Sequence, residues 1–199
     1  MKFILNELKV SVLLTLVLGL LLCGAYPAAV WAVGQALFPR QANGSLVLDK
    51  SGAVRGSTLL AQNFSGAGYF APRASAAGTG YDATSSGGTN LGPTSQKLSD
   101  SIKAAVEAYR SANGLPAGAP VPADAATESC SGLDPHISVA NALDQAPRVA
   151  RERHLPLDEV TGLVARYTEG RSLGVLGEPG VNVMRLNVAL DAATYAGPR

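Results

Sequence analysis

The stretch SGLDPHISVANALDQAPRVARER, residues 131–153, places His136, one of only two histidines in the chain, two residues after Asp134. Two serines, Ser129 and Ser131, lie just upstream. A serine, a histidine and an acid can together make an activated nucleophile, here with Ser131 attacking, His136 as general base and Asp134 orienting the imidazole. That chemistry needs convergence in space, and the Gly-x-Ser-x-Gly elbow that presents a serine in α/β hydrolases is missing. The same residues also read as punctuation. Gly132 and Pro135 mark a turn, Asp134-Pro135 initiates it, His136 is an ordinary polar loop residue, and Ser138 is a good helix cap. Gly132, Asp134, Pro135 and His136 are therefore expected to be a structural turn, with no catalytic residue among them. A membrane-anchored exported hydrolase using Ser131, Asp134 and His136 is the alternative. His136 and His154 stand 18 residues apart without a second cluster, so no metal site is expected.

A second candidate is SSGGTNLGP, residues 85–93. Consecutive glycines let backbone amides approach an anion or another chain closely, which makes Ser86, Gly87, Gly88, Asn90 and Gly92 candidates for nucleotide or subunit contact. The chain lacks G-x-x-x-x-G-K-[ST], so autonomous ATP hydrolysis is not supported. The run RVARER, with Arg171 and Arg185, offers basic side chains but reads as a solvated helix face.

What must position these residues begins with the N-terminus. No charged residue occurs from Val10 to Phe38, and about 20 apolar residues suffice to cross a hydrocarbon core. A lipoprotein signal would require a small residue before Cys23, where Leu22 stands. A cleaved signal peptide has a core of about 7–15 residues, shorter than this run. An uncleaved transmembrane helix over 10–33 is expected, after a cytoplasmic tail at 1–9. Lys2 and Lys9 on one side nearly balance Arg40, Lys50 and Arg55 on the other. The short tail decides the orientation, because long downstream domains translocate largely regardless of charge. The N-terminus is therefore expected inside and the domain outside. Tyr26 and Trp31 suit an interfacial belt, and Pro27 should kink or end the helix.

The rest, 39–199, is the size of one domain, with no repeat. Net charge is +1 and 47% of residues are hydrophobic, so nothing argues for nucleic acid. Gly (22) and Pro (12) make 34 of 199 residues, the mark of a loop-rich fold. Cys130 is the one thiol outside the apolar run, so the domain must stand on its core without an internal disulfide. An α/β (α+β) extracytoplasmic domain, anchored by one N-terminal transmembrane helix, is expected. Its first half is Gly-rich, opening with a hairpin over SLVLDKSGAVRGSTLL. A helix follows with Leu98, Ile102, Ala105, Val106 and Tyr109 on one face and a stop at Asn113-Gly114. An extended Pro/Ala connector covers 115–126. A helix after Ser138 carries Val139, Ala142, Leu143, Ala146, Val149 and Ala150, bent by Pro147, and Asp158 caps another with Val160, Leu163, Val164 and Tyr167 inside. The alternation in VNVMRLNVAL, residues 181–190, predicts a C-terminal strand bulged near Met184 and Arg185.

One N-terminal span followed in order by GSTLLAQNF, YFAPR, SGGTNLGP, SGLDPHIS, QAPRVA, TEGR and GEPGVNVMRLNVALD resembles the C subunit of the bacterial high-affinity potassium-transporting ATPase, the Kdp complex. Departures are local: Ala74 and Val139 stand where the family pattern has prolines. The resemblance implies an accessory, non-catalytic subunit in the bacterial inner membrane. Its partners would be a potassium-channel-like subunit, a P-type pump subunit and a small membrane subunit. It implies a catalytic chaperone that raises the pump's affinity for ATP, with potassium as the transported ion, no covalently bound cofactor, and ATP met only through the complex. A domain outside the membrane does not meet cytosolic ATP, so the expected orientation and a direct nucleotide role for the Ser86–Gly92 loop exclude one another.

Overall fold

Apolar residues without a break build one long helical stretch at the N-terminus of the computed structural model, which describes residues 1–48 and 51–195. Helix α1 (Lys2–Gly19) passes through a π-helical turn (Leu20–Ala25) into α2 (Tyr26–Leu37). Pro27 was expected to kink or end the helix, but α2 continues for ten residues beyond it. The ring lacks a donor and crowds the carbonyl four residues back. The wider π turn just before it re-registers the ladder where that bond is lost. None of the 36 residues is buried. At about 1.5 Å per residue the stretch measures roughly 54 Å, more than a hydrocarbon core of about 30 Å requires. A short α3 (Pro39–Ala42) follows, and the Asn43 side-chain Nδ2 donates to the Pro39 carbonyl at 2.6 Å.

The chain divides into two units, Met1–Leu46 and Val47–Arg199. In the second, β1 (Leu46–Leu48, which straddles the division) pairs with β2 (Val54–Ser57). The turn expected between them includes residues 49–50, outside the described residues. From residue 58 to 95 there is no regular element, as the glycine content predicts. Then come α4 (Gln96–Asn113), α5 (Ala123–Ala126), β3 (His136–Ser138), α6 (Val139–Arg153), α7 (Leu157–Arg166), β4 (Thr168–Glu169), β5 (Gly180–Asn182) and α8 (Val183–Tyr195). The Ser95 hydroxyl caps α4, and Gly114, at φ +66°, ends it in the left-handed conformation. The Ser138 hydroxyl accepts from the Asn141 amide and caps α6. Strand order is β3-β5-β4, antiparallel throughout, with Ile137 opposite Val181 and Val181 opposite Thr168. Phe70, Ile137, Val149, Val160, Val164, Val181, Leu186 and Leu190 form the core that α6, α7 and α8 close.

Further expectations are corrected. Residues 183–190 are helical, not a strand. Val183, Leu186, Asn187 and Leu190 are buried at three-to-four spacing, while Val188, which an alternating strand would bury, is exposed. The apparent phase slip is where strand becomes helix, and Asn182 makes the change by accepting the Arg185 amide at 3.1 Å as an N-cap. Asp158 does not cap α7. Pro156 stands at the cap, and Asp158 lies in the first turn, where its charge suits the helix dipole. Leu143 is exposed, so the stripe of α6 is narrower than predicted, and Pro147 sits on the outer side of a helix that runs through it. The Pro/Ala connector ends in the helical turn α5, whose Asp124 accepts from the Ser138 amide, the Ser138 hydroxyl and the Asn141 side chain at 2.8–2.9 Å.

The Gly-rich first half has few ladder partners for its backbone, and buried polar groups must be satisfied. Side chains from the helices supply the partners. Asn187 accepts from the Phe70 amide and donates to the Phe70 carbonyl, both at 2.9 Å. Gln145 does the same to Ala71, at 2.8 and 3.1 Å. Asn182 donates to the Thr58 carbonyl at 2.8 Å. Arg148 was expected on a solvated face. It is buried, with bonds to the carbonyls of Ala67 and Tyr69, to Asn113 Oδ1 at 2.9 Å and to Gln145 Oε1 at 2.8 Å. Arg153 of the same run stacks 4.3 Å over the Tyr69 ring and pairs with Asp191 at 2.8 Å.

Candidate functional site

The two candidate segments of the sequence pack on each other. Gly132 adopts φ +67°, a conformation open to glycine. Its Ser129–Gly132 turn is closed by the Gly132 amide donating to the Ser129 carbonyl at 3.2 Å. The Gly132 carbonyl accepts from the Ser75 hydroxyl at 2.6 Å. Against this turn lies the Gly-rich loop. The Gly87 amide and the Ser86 hydroxyl both donate to the Ser131 carbonyl at 3.0 Å. A Cβ on Gly88 would lie 2.9 Å from the Cys130 carbonyl oxygen. Asn90 takes φ +54° at the exposed tip, and the Gly92 carbonyl accepts from the Ser95 amide as α4 begins. Pro135 leads into β3, its carbonyl accepting from the Val183 amide at 3.0 Å.

Between the loop and α4 runs a groove of about 290 Å³, lined by Leu91, Leu98, Ile102, Ala105 and Ala126, with Asn90 and Thr127 at its polar margin. Glu128 is the charged residue among its lining. Among the described residues no lysine or arginine belongs to the lining, and its chemistry suits an apolar side chain. The predicted stripe of α4 is real but stays half-buried, and Leu98, Ile102 and Ala105 of it line this opening.

His136 stands in an edge strand rather than a loop. Its Nε2 lies 3.1 Å from Glu169, and Nδ1 lies 3.8 Å from Asp134 Oδ1, which also accepts the His136 amide at 3.0 Å. Arg73 pairs with Asp134 at 3.2 Å, and Arg185 with Glu169 at 2.8 Å. Arg73, Asp134, the imidazole, Glu169 and Arg185 thus form a series that crosses the sheet from β3 to β4, with the two carboxylates flanking the imidazole. Asp134, the less exposed of the two carboxylates, does most to hold the imidazole pKa above its ordinary value, against partial burial, and Glu169 adds to it. In turn the His136 side chain and amide, with Arg73, hold the Asp134 carboxyl below the usual range. The Ser131 hydroxyl instead accepts from the Leu133 amide at 3.1 Å. Among the described residues no hydrogen bond joins the Ser131 hydroxyl to the imidazole, and each has other partners.

The family model described as "KdpC: K+-transporting ATPase, c chain" matches residues 8–192. The chain belongs to the KdpC family. A potassium-transporting ATPase KdpC subunit of Nitratidesulfovibrio vulgaris is 52% identical over 189 residues, covering 94% of this chain and 95% of the relative. One from Rhodospirillum rubrum is 52% identical over 187 residues, covering 94% and 96%. One from Mycobacterium tuberculosis is 50% identical over 188 residues, covering 94% and 97%. In this KdpC chain the sequence pointed to the loop and the turn but missed Arg73, Ser75, Asp124 and Glu169. These lie 14–61 positions from the site residues they hold, beyond the reach of local spacing.

The His136 geometry makes a pH-dependent prediction. A raised folded-state pKa means that the charged imidazole stabilises the fold fully below its ordinary value of about 6.5. That contribution is lost as pH rises through the folded pKa. The melting-temperature gap between the wild type and His136→Asn should therefore be wider at pH 6 than at pH 9. Potassium transport by the variant should stay near normal at neutral pH, whereas loss of a general base would slow it about 10²–10⁴-fold. A gap that widens with pH, or a collapsed turnover in an assembled complex, contradicts the structural role.

Proposed function

We propose that the chain is a non-catalytic accessory subunit of an ATP-driven potassium uptake complex. It stabilises the complex and raises the ATP affinity of the P-type pump subunit as a catalytic chaperone. The observation that carries this reading is the helix Lys2–Leu37, which has no buried residue and needs lipid or other membrane helices to cover it. The chain sits in the bacterial inner membrane as a single-pass protein, N-terminus cytoplasmic and domain extracytoplasmic. It stands beside a potassium-channel-like subunit, the pump and a small membrane subunit. With that topology the domain touches no cytosolic ATP. It acts on ATP affinity by favouring the pump conformation that binds nucleotide, a coupling of free energies between separate sites. Ser86, Gly87, Gly88, Asn90 and Gly92 then serve subunit contact, a role supported by the mainly apolar groove beside them, whose one charged lining residue is Glu128.

Gly88→Val tests this. Its side chain would press on the Cys130 backbone, while Gly92 has open space around it. In complexes carrying Gly88→Val, the yield of assembled complex should fall or the KM for ATP should rise several-fold, with Gly92→Val as the matched control. Wild-type assembly and an unchanged ATP KM for Gly88→Val, with its loop displaced, would remove the loop from the contact.

A further inference from the structure

The segment between β4 and β5 ends in a tip that the fold does not use for its core. Leu173 is 91% exposed, Val175 72% and Leu176 59%. Such a group of apolar side chains is costly in water and marks an interaction site when it is contiguous. The tip is also braced. Ser172 and Leu176 exchange two backbone hydrogen bonds at 2.9 Å, and the Gly174 amide closes on the Arg171 carbonyl at 3.0 Å. Below them Arg171 Nη2 contacts both carboxylate oxygens of Glu178 at 2.8 Å. Leu173 holds φ +54°, a conformation that a branched side chain adopts at a cost, and one that turns it outward at the apex.

We propose that the Arg171–Glu178 tip is a preformed apolar wedge that seats in an apolar pocket on another subunit of the potassium-transporting complex, an inference that rests on the accessory-subunit reading. A braced tip gives up little freedom on docking, which favours a shaped protein pocket. An apolar centre with a polar rim is the anatomy of a protein interface, and Arg171 and Glu178 form that rim. Lipid is the poorer match. Residues 170–180 contain no aromatic residue and no lysine. Their one arginine is neutralised by Glu178, and Arg185 at the base by Glu169. Neither an interfacial anchor nor a basic patch for anionic headgroups is present.

The test uses the full chain co-expressed with the other subunits. Leu173→Ser combined with Leu176→Ser should leave the melting curve of the chain in detergent unchanged and cut recovery of the other subunits on a tagged chain about tenfold or more, as expected of interface anchors. If the double variant recovers them at the wild-type level, the wedge is overturned while the accessory reading stands. If the wild-type chain recovers none, the accessory reading itself fails. A second measurement places an environment-sensitive dye on Val175→Cys, with Cys23 and Cys130 replaced by Ser. Emission should be blue-shifted in the assembled complex and water-like for the chain alone in phosphatidylcholine–phosphatidylglycerol vesicles. A blue shift already present in those vesicles assigns the tip to lipid, and one that grows with chain density assigns it to a second copy. Either result overturns the proposal.

Discussion

Replacing Gly132 by alanine is expected to destabilise the domain by about 2–5 kcal/mol, the sum of a left-handed backbone cost of about 1–2 and an overpacking cost of about 1–3. Both arise at one atom. The backbone has φ +67°, and a Cβ there would lie 2.7 Å from the Ala77 Cβ and backbone nitrogen and 2.9 Å from the Gly87 carbonyl oxygen. None of these is the far end of a flexible side chain, so the Gly-rich loop must move. Gly114→Ala separates the two costs, because Gly114 has φ +66° with open space around it. Urea unfolding of the full chain in detergent should show a loss of about 1–2 kcal/mol for Gly114→Ala and distinctly more for Gly132→Ala. Equal losses would mean that the contact of loop and turn is slack and the close approach unimportant.

Removing the Arg148 guanidinium should cost about 3–5 kcal/mol, since each buried acceptor left without a donor is worth roughly 1–3. Arg148→Met keeps most of the aliphatic volume but strips donors from Asn113 Oδ1 and the carbonyls of Ala67 and Tyr69, and leaves Gln145 Oε1 with the Ala71 amide alone. Lysine keeps the charge but not the planar fork that reaches all four, so Arg148→Lys should recover only part of the loss. Arg151, exposed three residues on in the same run, is the comparison: Arg151→Met should stay within about 0.5 kcal/mol. A similar small effect at both positions would show that water replaces the guanidinium without cost.

What the sequence made legible follows the range of the interactions. Ser138, Gly114 and the apolar faces of α4 and α7 act within one or two helical turns, so their signals are local, and they stand where predicted. The Val181–Leu190 segment misled because a three-residue strand runs straight into a helix, and both periods fit so short a stretch. Asn141, Gln145, Arg148, Asn182 and Asn187 were invisible as core residues. Gln145, Arg148, Asn182 and Asn187 are buried against backbone groups far along the chain that need partners, and Asn141 against the Tyr109, Asp124 and Gln145 side chains. The candidate loop and turn were each recognised from composition. Their mutual contact was not, because it joins residues 86–88 to 130–132 across a helix and a connector.

The clasp of Asn187 on Phe70 spans 117 positions, and that of Asn182 on Thr58 spans 124. Ribosomes add about 5–20 residues per second, so the Gly-rich half waits on the order of ten seconds after its own synthesis for the last helix to appear. During that interval its backbone has water, or a folding helper, in place of the amides that will hold it. The order of manufacture therefore runs against the order of assembly: the first half of the domain is made early and finished last. Interrupting synthesis between residues 70 and 187 should release a chain whose N-terminal apolar helix is complete and whose Phe70 segment lacks its clasp.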